Sequence, residues 1–303
     1  VLCVIGDLVE DVVVWLPTNL SYGTDTPSRI VRTRGGSAAN VAVFAGAVAQ
    51  QQNNKYRARL IAQVGTDTLG DQLVEALESS GVHPCVARSG RTGSIVVIVS
   101  PDGERTMLTD RAAATELNHA PANWHEGVSV LHVPAYSLFS QPLSDAAQQC
   151  IEQAHEKNIA VSIDASSASL IKSFGVDKFR DLVHQLRPKI LFCNADEAEV
   201  MNLNEQPLGL ETVVIKAGAR PTTVIENSVV LSVDVEQVDE IVDSTGAGDA
   251  FAAGFLTKFA EQRADATSSA SASASHDTYI CVVAGHALAT RVLRSPGATM
   301  DTP

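Results

Sequence analysis

The chain opens on an unbroken apolar run, VLCVIG (1–6), short enough to read as a strand buried on both faces. Runs of the same kind recur as RLIAQVG, GVSVLHV, IAVSID, KILFC and TVVIKAG. Between them lie segments of helical composition: SAANVAVFAGAVA after RGG, TLGDQLVEALESSG closed by Gly81, and helices around 142–157, 176–186 and 195–203. Ser37 stands where a cap for the first of these helices would fall. Such strand–helix alternation marks a parallel sheet with helices packed on it.

The middle of the chain breaks the alternation. SIVVIVSPDGERTMLTD (94–110) is two β-rich runs around Pro-Asp-Gly, a hairpin signal. With the runs at 12–16 and 29–33 it supplies four strands without helices among them, which predicts a small β-sheet standing off the main α/β body. Later, antiparallel strands at 222–226 and 228–235 precede a helix from about 247, and a last helix spans roughly 277–294. Between those two helices RADATSSASASASH (263–276) is a low-complexity tract, read as a mobile surface loop.

Composition narrows the function. Apolar residues make up 45% and charged residues 19%, as in a globule with a sizeable core. A net charge of −13 without a basic tract argues against nucleic acid as a partner. The five cysteines are scattered with no C-x-x-C pair, and four sit inside apolar runs, which reads as buried thiols in a reducing compartment. The histidines show no zinc-ligand spacing. No apolar run approaches the ~20 residues that span a bilayer, and the chain begins on a strand rather than a basic leader, so a cytoplasmic protein is expected.

The most distinctive stretch is DSTGAGDAFAAGF (243–255). A P-loop is excluded because no Gly-Lys dipeptide occurs, and a dinucleotide fingerprint fails because Phe251 stands where the third glycine belongs. Gly246, Ala247 and Gly248 instead leave unpaired backbone N–H groups at a helix start, an anion hole backed by the helix dipole. Asp249 beside that hole would repel a resting phosphate unless it accepts a proton from an attacking group, the arrangement phosphoryl transfer to a hydroxyl requires. A plain first-turn aspartate favourable to the dipole fits the same pattern, and the motif alone leaves both readings open.

Two further clusters point the same way. RGGSAAN (34–40) sets Gly35 and Gly36 before a helix and Asn40 a turn inside it, where asparagine is a poor interior residue unless it serves a polar partner. GDLVED (6–11) places Asp7 and Asp11 just past the carboxyl end of the first strand, the edge where open α/β sheets bind ligands. Two carboxylates and an amide suit the hydroxyls of a polyol, although either aspartate would also serve to cap a turn.

With GG-x-x-x-N early and D-x-TGAGDAF late, in that order, the chain resembles the ribokinase-like (pfkB) carbohydrate kinases from residue 1 to about 300. The resemblance implies one ribokinase-like domain over 1–303, a three-layer α/β/α Rossmann-like sheet whose small β-sheet lid is formed by about 12–33 and 94–110. It implies transfer of the γ-phosphoryl of ATP to a hydroxymethyl group of a sugar or nucleoside. Asp249 then becomes the catalytic base and Gly246, Ala247 and Gly248 the anion hole, with Asp7, Asp11, Gly35, Gly36 and Asn40 on the substrate. The N-x-x-E motif appears as Asn194 to Glu197, implying that Glu197 organises Mg2+ through water. Lys216, Gly218 and His286 fall on the nucleotide side, and Asp243 with Thr245 matches the family's monovalent cation (K+) site. Relatives often pair through the lid, so a homodimer is expected.

The chain departs from the family pattern at three places. Ser37 follows the glycine pair where ribokinases carry lysine, the segment from Asp164 lacks the family's Asn and Arg, and the Ser/Ala tract looks inserted. These leave catalysis standing and the acceptor open: a ribose-, fructose- or sugar-acid-type substrate, with Arg105 of the hairpin meeting a sugar-acid carboxylate. A nucleoside kinase is the second reading, and a non-catalytic sugar- or nucleotide-binding regulator the third. Few aromatics near the first strands count against the nucleoside, and retention of Asp249 counts against the regulator.

Overall fold

The structure, a computed structural model, describes residues 1–50, 58–266, 274–295 and 297–300. In chain order the first half holds β1 (Leu2–Ile5), β2 (Val9–Trp15), β3 (Arg29–Gly35), α1 (Ser37–Gln50), β4 (Ala58–Val64), α2 (Thr68–Ser79), β5 (Val82–Arg88), β6 (Ser94–Val99), β7 (Arg105–Asp110) and β8 (Val130–Pro134). The second half holds α3 (Leu143–Glu156), β9 (Ala160–Asp164), α4 (Ala168–Phe174), α5 (Val176–Leu186), β10 (Ile190–Asn194), α6 (Ala195–Val200), β11 (Thr212–Ala217), β12 (Arg220–Glu226), β13 (Val229–Val233), α7 (Ala247–Ala266) and α8 (Ala274–Leu293).

Nine strands form one sheet in the order β13-β12-β11-β10-β9-β8-β1-β4-β5. Pairing is parallel from β11 to β5, and β12 and β13 close one edge as antiparallel strands. In β1, Leu2 and Val4 pack on the side of α1, α7 and α8, while Cys3 and Ile5 pack on the side of α3 and α5, all four essentially without solvent exposure. That is why the opening run carries no polar position: both faces are roofed by helices. The five cysteines are free thiols, four buried and Cys85 half-buried.

The helix-free strands form a second, four-stranded sheet in the order β3-β2-β6-β7. β2 and β6 pair in parallel, with Val13 opposite Val97, and the β6–β7 hairpin turns through Pro-Asp-Gly with Gly103 at φ +86°. Alternation sends Val13, Ile95, Val97, Val99 and Met107 toward the main body, where they line its cavity.

Three details differ from the sequence reading. β5 and α4 are additional elements. The Ser/Ala tract is not wholly loop: α7 runs to Ala266 and α8 begins at Ala274, and the residues between lie outside the described ones. Ser37 does not cap α1; that end is held by the Asp7 carboxylate, which accepts from Ala38 N at 3.2 Å, while the Ser37 hydroxyl points elsewhere.

α7 and α8 join almost backbone to backbone. A Cβ on Gly254 would lie 2.5 Å from the Ala284 carbonyl oxygen, and one on Gly285 would lie 2.9 Å from the Phe251 ring. Only glycine at both positions permits that approach.

Candidate active site

The carboxyl ends of β1, β9, β10 and β11, the start of α7 and the inner face of the small sheet enclose a cavity of about 640 Å³. This is the volume range of small-molecule sites, at the edge where open α/β sheets place them. Asp7, Asp11, Gly36, Asn40, Arg105, Asn194, Glu197, Lys216, Gly218, Asp243, Thr245, Gly246, Ala247, Gly248, Asp249 and His286 all line it. Of the residues singled out in the sequence, only Gly35 stands behind the wall. A Cβ there would lie 2.1 Å from Asp11 Oδ1, so its bare backbone makes room for that carboxylate.

Asp249 sits in the first turn of α7. Its Oδ1 accepts from the Ser37 hydroxyl at 2.7 Å and its Oδ2 from Asn40 Nδ2 at 2.8 Å. Burial pushes its pKa up to about 7 against the lowering effect of both hydrogen bonds. Asn40 is itself fixed from behind, its Oδ1 accepting from Arg34 Nη1 at 2.6 Å. Gly246 precedes the helix at φ +78°, and a Cβ there would meet the Ala298 Cβ at 2.8 Å. The Lys216 ammonium reaches the same turn, 3.5 Å from the position of a Cβ on Gly248.

Lys216 donates to Asp164 Oδ2 at 2.7 Å. Burial alone would lower its pKa, but Asp164 holds it above the usual value, so it stays charged at neutral pH. Glu197 is buried and closes a capping box with Asn194: its Oε2 accepts from Asn194 N at 2.8 Å, and Glu197 N donates to Asn194 Oδ1 at 2.8 Å. Burial and the neighbouring Asp164 raise Glu197 to about 7. His286 shares a hydrogen bond with Thr222 Oγ1 at 2.8 Å and packs on Phe251, and burial lowers its pKa, leaving the ring neutral.

At the other end, Asp7 pairs with Arg111, whose guanidinium lies 4.7 Å over the Tyr136 ring. Asp11 is raised to about 6, by burial first and then by Asp7. Arg111, Tyr136 and Asp164 line the cavity and Arg34 backs Asn40, and sequence reasoning gave none of them a place in the site. For Asp164 the signal existed, since IAVSID ends a buried strand on a carboxylate at the ligand edge.

Arg105 departs from expectation. Its guanidinium is bound to Asp243 Oδ1 and Thr245 Oγ1, so the group assigned to a substrate carboxylate and the pair assigned to a monovalent cation satisfy one another.

The comparisons agree with this fold. The family model for pfkB family carbohydrate kinases matches residues 2–303. An adenosine kinase of Schizosaccharomyces pombe is 26% identical over 273 residues, covering 79% of this chain and 74% of the relative. Fructokinase-1 of Oryza sativa subsp. japonica is 27% identical over 286 residues, covering 84% and 82%. A sugar kinase from Pyrococcus horikoshii, solved in complex with ATP, superposes with a TM-score of 0.78 at 18% identity, covering 98% of this chain and 94% of that one. The chain belongs to the pfkB family of carbohydrate kinases, whose members phosphorylate sugars or nucleosides.

Proposed function

We propose that the protein transfers the γ-phosphoryl group of ATP to a hydroxymethyl group of a small carbohydrate, with Asp249 as general base. The observation that carries this reading is the Asp249 carboxylate, raised to about 7 and held by Ser37 and Asn40 at the mouth of the Gly246–Gly248 turn. Asp7, Asp11, Gly36 and Asn40 orient the acceptor, and Asp249 takes its proton as the hydroxyl attacks. The amides of the α7 start and the Lys216 ammonium receive the charge of the transferring group. Asn194, Gly218 and His286 hold the nucleotide side.

Mg2+ supplies charge neutralisation on the phosphates when bound. Glu197 fits such an ion through water only, because its carboxylate is turned back onto the start of α6. Among the described residues no three His, Cys, Asp or Glu side chains gather into a metal-binding cluster. The small sheet acts as the lid, excluding water so that ATP is not hydrolysed. The lid, formed by about 12–33 and 94–110, belongs with the rest of 1–303 to a single kinase domain. Its outer face presents Ile30 and Leu108, 59% and 55% exposed, as the surface for a homodimer, and light scattering of the eluted protein should read twice the chain mass. Among the described residues no helix is long and apolar enough to cross a membrane. The free, largely buried thiols are the basis on which we place the enzyme in the cytoplasm.

The test is ADP release with Mg-ATP over pentoses, hexoses, sugar acids and nucleosides. Turnover with a carbohydrate supports the reading, and none with any acceptor sinks it. One observation favours a nucleoside instead: the aliphatic wall of Val13, Ile95, Val97, Val99 and Met107 would cover an apolar base better than a ring of hydroxyls. A pH profile separates the base from a bystander. Asp249 works only when ionised, and its pKa is about 7. The rate with saturating substrates should therefore rise through about pH 7 and level above it, whereas a flat profile between pH 6 and 8 would count against it.

A further inference from the structure

Arg105 opens β7 on the cavity side of the small sheet, opposite Val99, and reaches across to the segment that leads into α7. There it donates to Asp243 Oδ1 and to Thr245 Oγ1. Asp243 makes further bonds around that contact: Oδ1 accepts from Thr245 N at 2.8 Å and from its hydroxyl at 2.7 Å, and Oδ2 accepts from Gly297 N at 2.9 Å. The pair is largely buried, with side-chain exposures of 26% for Arg105 and 12% for Asp243. A monovalent cation needs open oxygen ligands and carries the same charge as the guanidinium already seated there. The residues present do not fit such an ion while the small sheet stands where it does.

We propose that Arg105 is the built-in cation of this turn, a positioning residue delivered by the small sheet. Closing the sheet brings the guanidinium onto Asp243 and Thr245, which fixes Thr245 and the adjoining Gly246–Gly248 amides. The anion hole is thus ordered by the lid rather than by dissolved K+. A charge-assisted pair is among the stronger hydrogen bonds, and this one adds to the Arg34–Asn40 contact that already ties β3 to α1. The proposal rests on reading those amides as the anion hole, but its contact is with the turn itself.

The experiment compares the parent enzyme with Arg105→Met and Arg105→Lys in KCl and in tetramethylammonium chloride at matched ionic strength. The parent should turn over equally in both salts. Arg105→Met should lose kcat on the order of 10- to 100-fold, the size of effect expected when a reacting group is misplaced, with the KM for the acceptor little changed. Arg105→Lys, which keeps the charge, should recover part of that rate. Hydrogen exchange supplies a readout independent of turnover: amides of residues 243–249 should exchange faster in Arg105→Met, with the core of α7 unchanged. Several-fold activation of the parent by K+ over tetramethylammonium would overturn the proposal. So would an Arg105→Met enzyme with parental kcat and exchange. The exchange arm judges the positioning role even if the acceptor reading fails.

Discussion

Asp249→Asn should lower kcat by about 10²- to 10⁴-fold, the span that a positioned general base contributes, while leaving the KM for ATP within a few-fold. Asparagine preserves the local network, since it can accept from Asn40 Nδ2 and donate to a turned Ser37 hydroxyl. What it cannot do is take the proton of the acceptor hydroxyl. Stability should move the opposite way. The folded carboxyl holds its proton up to about pH 7, whereas an unfolded aspartate loses it near 3.8, so the folded state gives up stability as pH rises through that window. Asparagine carries no such penalty. At pH 8 the variant should melt no lower than the parent, which separates lost chemistry from lost folding. A variant retaining activity within a few-fold would show that the base is elsewhere.

Gly246→Ala is the second large effect. The backbone at φ +78° disfavours any L side chain by about 1–2 kcal/mol, and the added methyl would overlap the Ala298 Cβ at 2.8 Å. Relief comes only by shifting the turn, and the turn carries the amides that the proposed mechanism aims at the transferring phosphoryl group. Removing one such donor typically costs about 10²- to 10³-fold in kcat. The same order is expected here, with circular dichroism unchanged because the buried stretch of α7 from Ala250 to Leu256 is untouched. A near-parental rate would mean that these amides do not meet the reacting group.

The alternation of apolar runs made the main sheet readable, and the hairpin signal around Pro-Asp-Gly exposed the second one. β5 escaped because VHPCVAR mixes Pro84, His83 and Arg88 into an edge strand, where one side needs neither pairing nor burial. α4 escaped because its seven residues show no sustained period. In the site, short side chains locked to glycine motifs were legible: the motifs singled out Asp249, Asn40 and Gly36, and the family resemblance supplied their roles. Arg111 was not, and Arg105 was named without its partner, because a long side chain finds its partner in space. Arg111 meets Asp7 from 104 positions away and Arg105 meets Asp243 from 138. Ser37 was legible as a polar helix start, yet which group its hydroxyl serves depends on α7, a distant element brought alongside α1 by the sheet order.

The glycine-to-backbone seam between α7 and α8 bears on how such an enzyme changes over generations. Gly254 and Gly285 tie Asp249 on one helix and His286 on the other into a single rigid block. The aliphatic wall of the cavity, Val13, Ile95, Val97, Val99 and Met107, comes instead from β2, β6 and β7, a separate sheet. Substitutions in that aliphatic wall can redirect the enzyme to a new acceptor without touching the turn that carries Asp249, whereas a single methyl at the seam would disturb that turn for every acceptor at once.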